Sequence, residues 1–257
     1  MTKKSFFAGL LPAALTLLVL VGLLQLNFVM GWIADYLLPG PGQILSALFQ
    51  EDAGFGTALQ ETLLNTLFGF GISFVVGTSL ALLLSLHSTF ERAFLPISVF
   101  FQTVPIIAIA PLLVIWFGFG GPTVRASAFV VSLFPILANT LAGLAATPAT
   151  RLELFRSFRA SRFQTLVQLK IPQALPQFFT GLEIAVGLAV IGAIVGEFIA
   201  GSGLGSLIDV ARTQQRVDMV FAAVALTTFM GISLVGLVKF VRFLVFKYRP
   251  FDHLPED

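Results

Sequence analysis

The chain has 257 residues, 57% of them hydrophobic and only 11% charged, and its mean hydropathy is +0.96. Soluble domains carry roughly 25% charged residues, so a water-soluble fold is excluded for want of polar groups to cover its surface, and an integral membrane protein follows. The absence of cysteine excludes a disulfide framework and a thiolate metal site, and the net charge of +2 matters less than where the charges lie.

In chain order, the pair Lys3 and Lys4 precedes an uncharged apolar run from Phe6 to about Met30. The run exceeds a signal-peptide core and no small-residue cleavage site ends it, so it reads as a retained first span. A helix needs roughly 20 apolar residues to cross the hydrocarbon, and helices are favoured because lipid cannot satisfy open backbone groups. Spans are expected at about 9–29, 62–86, 93–118, 124–146, 176–200 and 218–246, in one domain covering 1–257. Asn65 lies in the second span, and Gln102 and Thr103 lie in the third. Pro105 and Pro111 predict that this third span is two helical pieces at an angle. Asn139 falls in the fourth span and Glu197 near the end of the fifth. Such intramembrane polar residues either line a path or make interhelical hydrogen bonds. Gly192 and Gly196 form G-x-x-x-G, a pattern for close helix approach. The stretch GSGLG at 201–205 reads as a tight loop and not as a phosphate cradle, since no Lys-Ser/Thr follows it.

The cations orient the spans. With the N-terminus inside, the inner segments hold Lys3, Lys4, Arg92, Arg151, Arg156, Arg159, Arg162, Lys170, Lys239, Arg242, Lys247 and Arg249, whereas the outer segments hold Arg125, Arg212 and Arg216. Twelve of fifteen on one side predicts six spans with both termini in the cytoplasm.

The stretch 150–172 between the fourth and fifth spans is more than a topological anchor. Thr150 with Glu153, and Ser161 with Gln164, have the spacing of two capping boxes. Leu152, Phe155 and Phe158 recur at helical spacing, and Phe163, Leu166, Val167 and Lys170 fall on one face. Pro172 is expected to end the second helix. Two short amphipathic helices joined near Arg159 and Ala160 result. They suit docking of a cytoplasmic partner, an interfacial helix pair or a re-entrant loop.

These residues resemble the cytoplasmic loop of the transmembrane subunits of ATP-binding-cassette importers, whose motif is E-A-A, three residues, G, nine residues, then I-x-L-P. Glu153 takes the Glu position, Leu154 and Phe155 the two Ala positions, Arg159 the Gly, and Leu169-Lys170-Ile171-Pro172 matches the end. VPIIAIAPLLVIWFGFGGPT, SLFPILANTLAGL, LLPGPGQIL at 37–45 and the segment from Ala174 to Ile208 are similar to further parts of the same family, in the branch for taurine, sulfonates, nitrate, bicarbonate and pyrimidine or riboflavin precursors. The resemblance implies an all-α integral membrane six-span bundle of the type I importer permease fold, with a cytoplasmic two-helix coupling loop. It implies that Glu153, Leu154, Phe155, Arg156, Ser157, Phe158, Arg159, Ala160 and Ser161 seat on an ATPase subunit. It further implies a second permease copy, two ATPase subunits and an extracytoplasmic solute-binding protein, at a bacterial inner membrane. The two Ala positions are bulkier here, Glu183 stands where the family usually has a basic residue, and Arg159 in place of Gly requires either a different turn or a left-handed arginine, which costs about 1 kcal/mol or more.

No G-x-x-x-x-G-K-[ST] and no H-E-x-x-H occurs, and the histidines are His87 and His253. The chain is therefore expected to be no enzyme and to hold no metal or cofactor, with ATP and magnesium on the partner. Gln102, Thr103, Asn139, Glu183 and Glu197 are the candidates for the translocation path. The alternative is a self-sufficient secondary transporter, which predicts inverted repeats and ion-coupling carboxylates. No convincing repeat is visible, and Glu197 is the only deep acidic candidate.

Overall fold

A computed structural model describes residues 3–50, 54–87, 93–94, 96–97 and 102–248, and every element in them is a helix. In chain order these are α1 (Lys3–Met30), α2 (Pro41–Leu48), α3 (Phe55–Leu84), α4 (Ile106–Phe117), α5 (Gly121–Ala145), α6 (Ala149–Ser157), α7 (Arg162–Thr165), α8 (Ile171–Ala200), α9 (Gly203–Thr213) and α10 (Val217–Lys247). A π-turn, Leu166–Lys170, joins α7 to α8. Among the described residues four helices are long and apolar enough to cross a membrane: Phe55–Leu84, Gly121–Ala145, Arg162–Ala200 and Val217–Lys247. Leu18–Met30 and Ile106–Phe117 are shorter apolar helices. Arg92, Arg249, His253 and residues 98–101 of the expected third span lie outside the described residues.

Helix α5 is the centre of the bundle, packed between α3 and α8. Small residues set its distance from both. A Cβ at Gly192 would stand 2.7 Å from the Ser127 carbonyl oxygen, and one at Gly196 would stand 3.0 Å from Val124 Cα. The G-x-x-x-G pattern is thus a contact between α8 and α5, as its spacing suggests. On the other side Ser73 donates to the Phe129 carbonyl at 2.8 Å, and Ser132 donates to Ser73 at 2.8 Å. These bonds tie α3 to α5 where apolar side chains alone would give no direction.

The two ends of the bundle are built differently. At one end α2 and α9 close over the spans with a core of Ala47, Phe55, Ala58, Leu204, Ile208, Ala222 and Ala223. At the other, Leu144, Leu166 and Ala174 pack with Leu82, Leu86 and Ile171, joining the ends of α3 and α5 to the start of α8. The segment α6–α7 lies at this second end and is called the elbow below.

Three expectations need correction. Pro105 caps the start of α4, but Pro111 lies inside that helix without ending it, so only Pro105 of the two prolines stands at a helix boundary. GSGLG is not a loop throughout: Gly201 takes the left-handed conformation that ends α8, with φ 76°, and α9 begins two residues later at Gly203. Pro172 does not end a helix, and Arg162–Ala200 runs as one apolar helix of 39 residues. The physical reason is the π-turn. The Ile171 N–H bonds back to the Leu166 carbonyl, five residues earlier, and the widened turn accommodates a ring that has no N–H to offer.

Candidate functional site

Helix α6 starts on Pro148, whose carbonyl accepts from Arg151 N at 3.1 Å and Leu152 N at 3.2 Å. Pro148 is the N-cap, with φ −57° and ψ 137°, so Ala149 is the first helical residue and Thr150, the second, stands two positions past the cap. The expected Thr150–Glu153 capping box therefore does not form. At the other end of α6, Arg159 has φ 53°. The Ala160 N–H bonds the Phe155 carbonyl at 3.0 Å and the Arg159 N–H bonds the Arg156 carbonyl at 2.9 Å. This pair of bonds is the Schellman motif, with arginine in the position that glycine usually takes. Ser161 then caps α7: its hydroxyl accepts from Gln164 N at 3.1 Å, and the Gln164 side chain accepts from Ser161 N at 2.7 Å. The Ser161–Gln164 capping box is as expected. Between Ser157 and Arg162 the chain turns with the amides of Phe158, Arg159, Ala160 and Ser161 all bonded, which makes the elbow stiff.

Its inward side holds the half-buried Leu152, Phe155 and Ala160, and beyond the turn the buried Leu166 and Leu169. Phe163 and Val167, read from sequence as sharing a face with Leu166, stay exposed. Lys170 Nζ reaches the Ser85 carbonyl at 3.5 Å, and Arg162 Nη1 lies 3.3 Å from His87 Nε2, so the end of α3 is held against the elbow. The outward side is apolar in an unusual place: Leu154, Phe158 and Phe163 are 53%, 76% and 70% exposed. Around them lie the exposed Arg151, Glu153, Arg156, Ser157, Arg159, Ser161 and Arg162. Apolar anchors ringed by charge suit a protein partner.

The five candidates for a path are not brought together. Gln102 and Thr103 are exposed, immediately before Pro105. Asn139 donates within its own helix to the Pro135 carbonyl at 2.9 Å. The Glu183 carboxylate accepts from Arg242 Nη1 on α10 at 3.0 Å, and the same guanidinium lies 5.9 Å from the centre of the Phe246 ring. Glu197 is fully buried and accepts from the Thr62 hydroxyl at 3.0 Å and from Gly205 N at 2.9 Å. Thr62 accepts in turn from Leu204 N at 2.9 Å, and Glu61 accepts from Gly203 N at 3.0 Å. The first turn of α9 is thus fastened to α3 and α8 through Glu61, Thr62 and Glu197.

One residue of the opposite end was not singled out from sequence. Arg125, in the first turns of α5, donates through Nε to Asn65 Oδ1 on α3 at 2.9 Å and lies 5.0 Å from the centre of the Phe68 ring. The available signal was a cation five residues into an otherwise uncharged apolar helix. Below it, Leu67, Phe68, Ile72, Val75 and Val76 form an exposed apolar face of α3. Among the described residues no three His, Asp or Glu side chains are grouped to hold a metal.

The comparisons with known proteins agree with this architecture. Residues 70–247 match the family described as binding-protein-dependent transport system inner membrane component. The chain is 38% identical over 216 residues to the formylaminopyrimidine transport permease protein of Halalkalibacterium halodurans, covering 83% of this chain and 86% of that one. It is 30% identical over 238 residues to the riboflavin transport system permease protein of Chloroflexus aurantiacus, covering 91% and 88%. It is 29% identical over 241 residues to the taurine transport system permease protein of Escherichia coli, covering 91% and 82%. The solved MetNI methionine ABC transporter, in an inward-facing conformation, shares the fold with a TM-score of 0.59 at 20% identity, over 74% of this chain and 93% of that one. A bundle of apolar helices carrying an exposed elbow, matched over most of its length by permeases, belongs to the binding-protein-dependent inner membrane components, the permease subunits of ABC importers.

Proposed function

We propose that this chain, paired with a second copy, forms the path of a small solute across an inner membrane, and that two cytoplasmic ATPase subunits drive it through the elbow. The proposed topology has six spans, the first drawn from α1 and the third containing α4, with both termini and the elbow on the cytoplasmic side. Charge supports that orientation. Arg151, Arg156, Arg159, Arg162, Lys170, Lys239, Arg242 and Lys247 lie toward the elbow end, and Arg125, Arg212 and Arg216 toward the other. An external solute-binding protein delivers the solute at the α2–α9 end, and ATP and magnesium bind the partner ATPase, with no cofactor in this chain.

The observation that carries the reading is the elbow itself. Its outward apolar side chains Leu154, Phe158 and Phe163 have no cover among the described residues. Its turn is fully bonded, and α7 continues through the π-turn into the long helix α8. A partner pressing on Glu153 to Ser161 would move that helix as one body. Gln102 and Thr103, both exposed, are assigned to the path, whereas Glu183 and Glu197 hold helices together in this conformation and Asn139 bonds within its own helix. The substrates named for such relatives support a small solute such as taurine or another sulfonate, nitrate, or a pyrimidine or riboflavin-type precursor. Co-purification of the ATPase subunit from membranes tests the docking. Phe158→Asp and Glu153→Arg are expected to lose the ATPase while the permease still inserts, and normal association in both variants would remove the elbow as the docking element.

A further inference from the structure

Three arginines lie at the end of the bundle away from the elbow, and two of them are neutralised. Arg212 pairs with Asp209 at 2.7 Å, and Arg216 pairs with Asp218 at 2.8 Å. Arg125 has no carboxylate partner among the described residues. The carboxylate one turn before Asn65 on α3, Glu61, is turned to the Gly203 amide instead. The guanidinium is nevertheless held in place. Its Nε is committed to Asn65, which is buried, and its plane is backed by the Phe68 ring. An arginine fixed by two neighbours, exposed and without a counter-charge, keeps its Nη donors for a ligand, and a planar fork of donors matches an oxyanion.

The surroundings define what else the ligand must be. Phe68 backs the arginine and also belongs to the exposed apolar face of α3 that continues through Leu67, Ile72, Val75 and Val76, so the charge stands at the edge of an apolar surface. That combination accepts a small molecule with a negatively charged group at one end and an apolar or flat remainder. We infer that Arg125 is the residue at the outer mouth of the path that selects such solutes, with Asn65 and Phe68 as its positioning residues. The inference rests on the importer reading and on the path lying along the exposed face of α3. The competing role for an exposed arginine at this level is a contact with lipid phosphate, and the experiment separates the two.

The chain contains no cysteine, so single reporters can be introduced directly. Leu64 on α3, one turn before Phe68, is 57% exposed, and Leu67 on the same apolar face is 41% exposed. In the assembled transporter in membrane vesicles, Leu64→Cys and Leu67→Cys are treated with an anionic methanethiosulfonate bearing a sulfonate and with a cationic one bearing a trimethylammonium. Both reagents are expected to react from water. Adding Arg125→Gln is expected to lower the anionic-to-cationic rate ratio by roughly tenfold or more, as for a unit charge removed from within about 7 Å in a partly wet site. Arg125→Lys is expected to keep most of the ratio. An unchanged ratio in Arg125→Gln overturns the inference. So does a reporter that ignores both charged reagents but reacts with membrane-permeant N-ethylmaleimide, because the residue then faces lipid. Co-purification of the ATPase is scored on the same samples. Its loss in the unsubstituted chain counts against the importer reading, and an unchanged ratio with the ATPase still bound counts against Arg125 alone.

Discussion

The Arg242 guanidinium donates to the Glu183 carboxylate at 3.0 Å, joining α10 to α8 in the half of the bundle nearer the elbow. The pair is partly shielded, with side chains 38% and 18% exposed, so it lies between a surface ion pair and a buried one. A surface pair contributes about 0–1 kcal/mol, and orphaning one partner of a buried pair costs about 3–5 kcal/mol. Arg242→Ala is therefore expected to cost about 1–2 kcal/mol in detergent-solubilised protein. The exchange of both charges, Glu183→Arg with Arg242→Glu, should recover part of that loss. A double-mutant cycle on thermal unfolding measures it, and strict additivity would show that the two charges do not interact.

Arg159 holds φ 53° at the end of α6. A left-handed non-glycine residue costs about 1 kcal/mol or more, and glycine relieves that cost while adding freedom to the unfolded chain. Arg159→Gly is expected to leave the elbow as stable or to stabilise it by up to about 1 kcal/mol. Arg159→Val, with a branched Cβ, should destabilise it by more than the arginine does. Amide exchange at Ala160, whose N–H closes the turn on Phe155, reads both effects locally. Slower exchange in the valine variant than in the glycine variant would contradict this account.

Glu197 holds the first turn of α9 through Gly205 N and meets α3 through Thr62. Glu197→Ala leaves a buried amide without its acceptor and opens a cavity, for a loss of about 2–4 kcal/mol. Glu197→Gln keeps one acceptor oxygen and should cost about 1 kcal/mol. Exchange of the Gly203–Gly205 amides, together with the unfolding temperature, distinguishes this fastening from a role in contacting solute. If Glu197→Ala left these amides protected, some other group would be holding α9.

Much of the fold is legible in the sequence because lipid leaves so few options. Uncharged runs of twenty or more residues have to be helices, and the cations sort to one side. The elbow was legible too, through Ser161 and Gln164 and through the spacing from Glu153 to Pro172. The first capping box is not formed because Pro148 takes the cap of α6 two residues before Thr150. Continuity through Pro172 was hidden because a proline is a local signal to stop, and the π-turn that overrides it involves residues also buried against α3 and α5. Arg125 with Asn65 and Glu183 with Arg242 are 60 and 59 positions apart, and no periodicity within one helix announces a partner on another.

The continuous helix from Arg162 to Ala200, with one π-turn near its start, has a mechanical consequence. Thirty-nine residues at about 1.5 Å each make a rod of about 58 Å, nearly twice the hydrocarbon thickness. Rotation of such a rod by about 5° around one tip swings the other tip by about 5 Å. A displacement at the elbow tip would thus arrive at the other tip, at the level of α9, as a movement of comparable size.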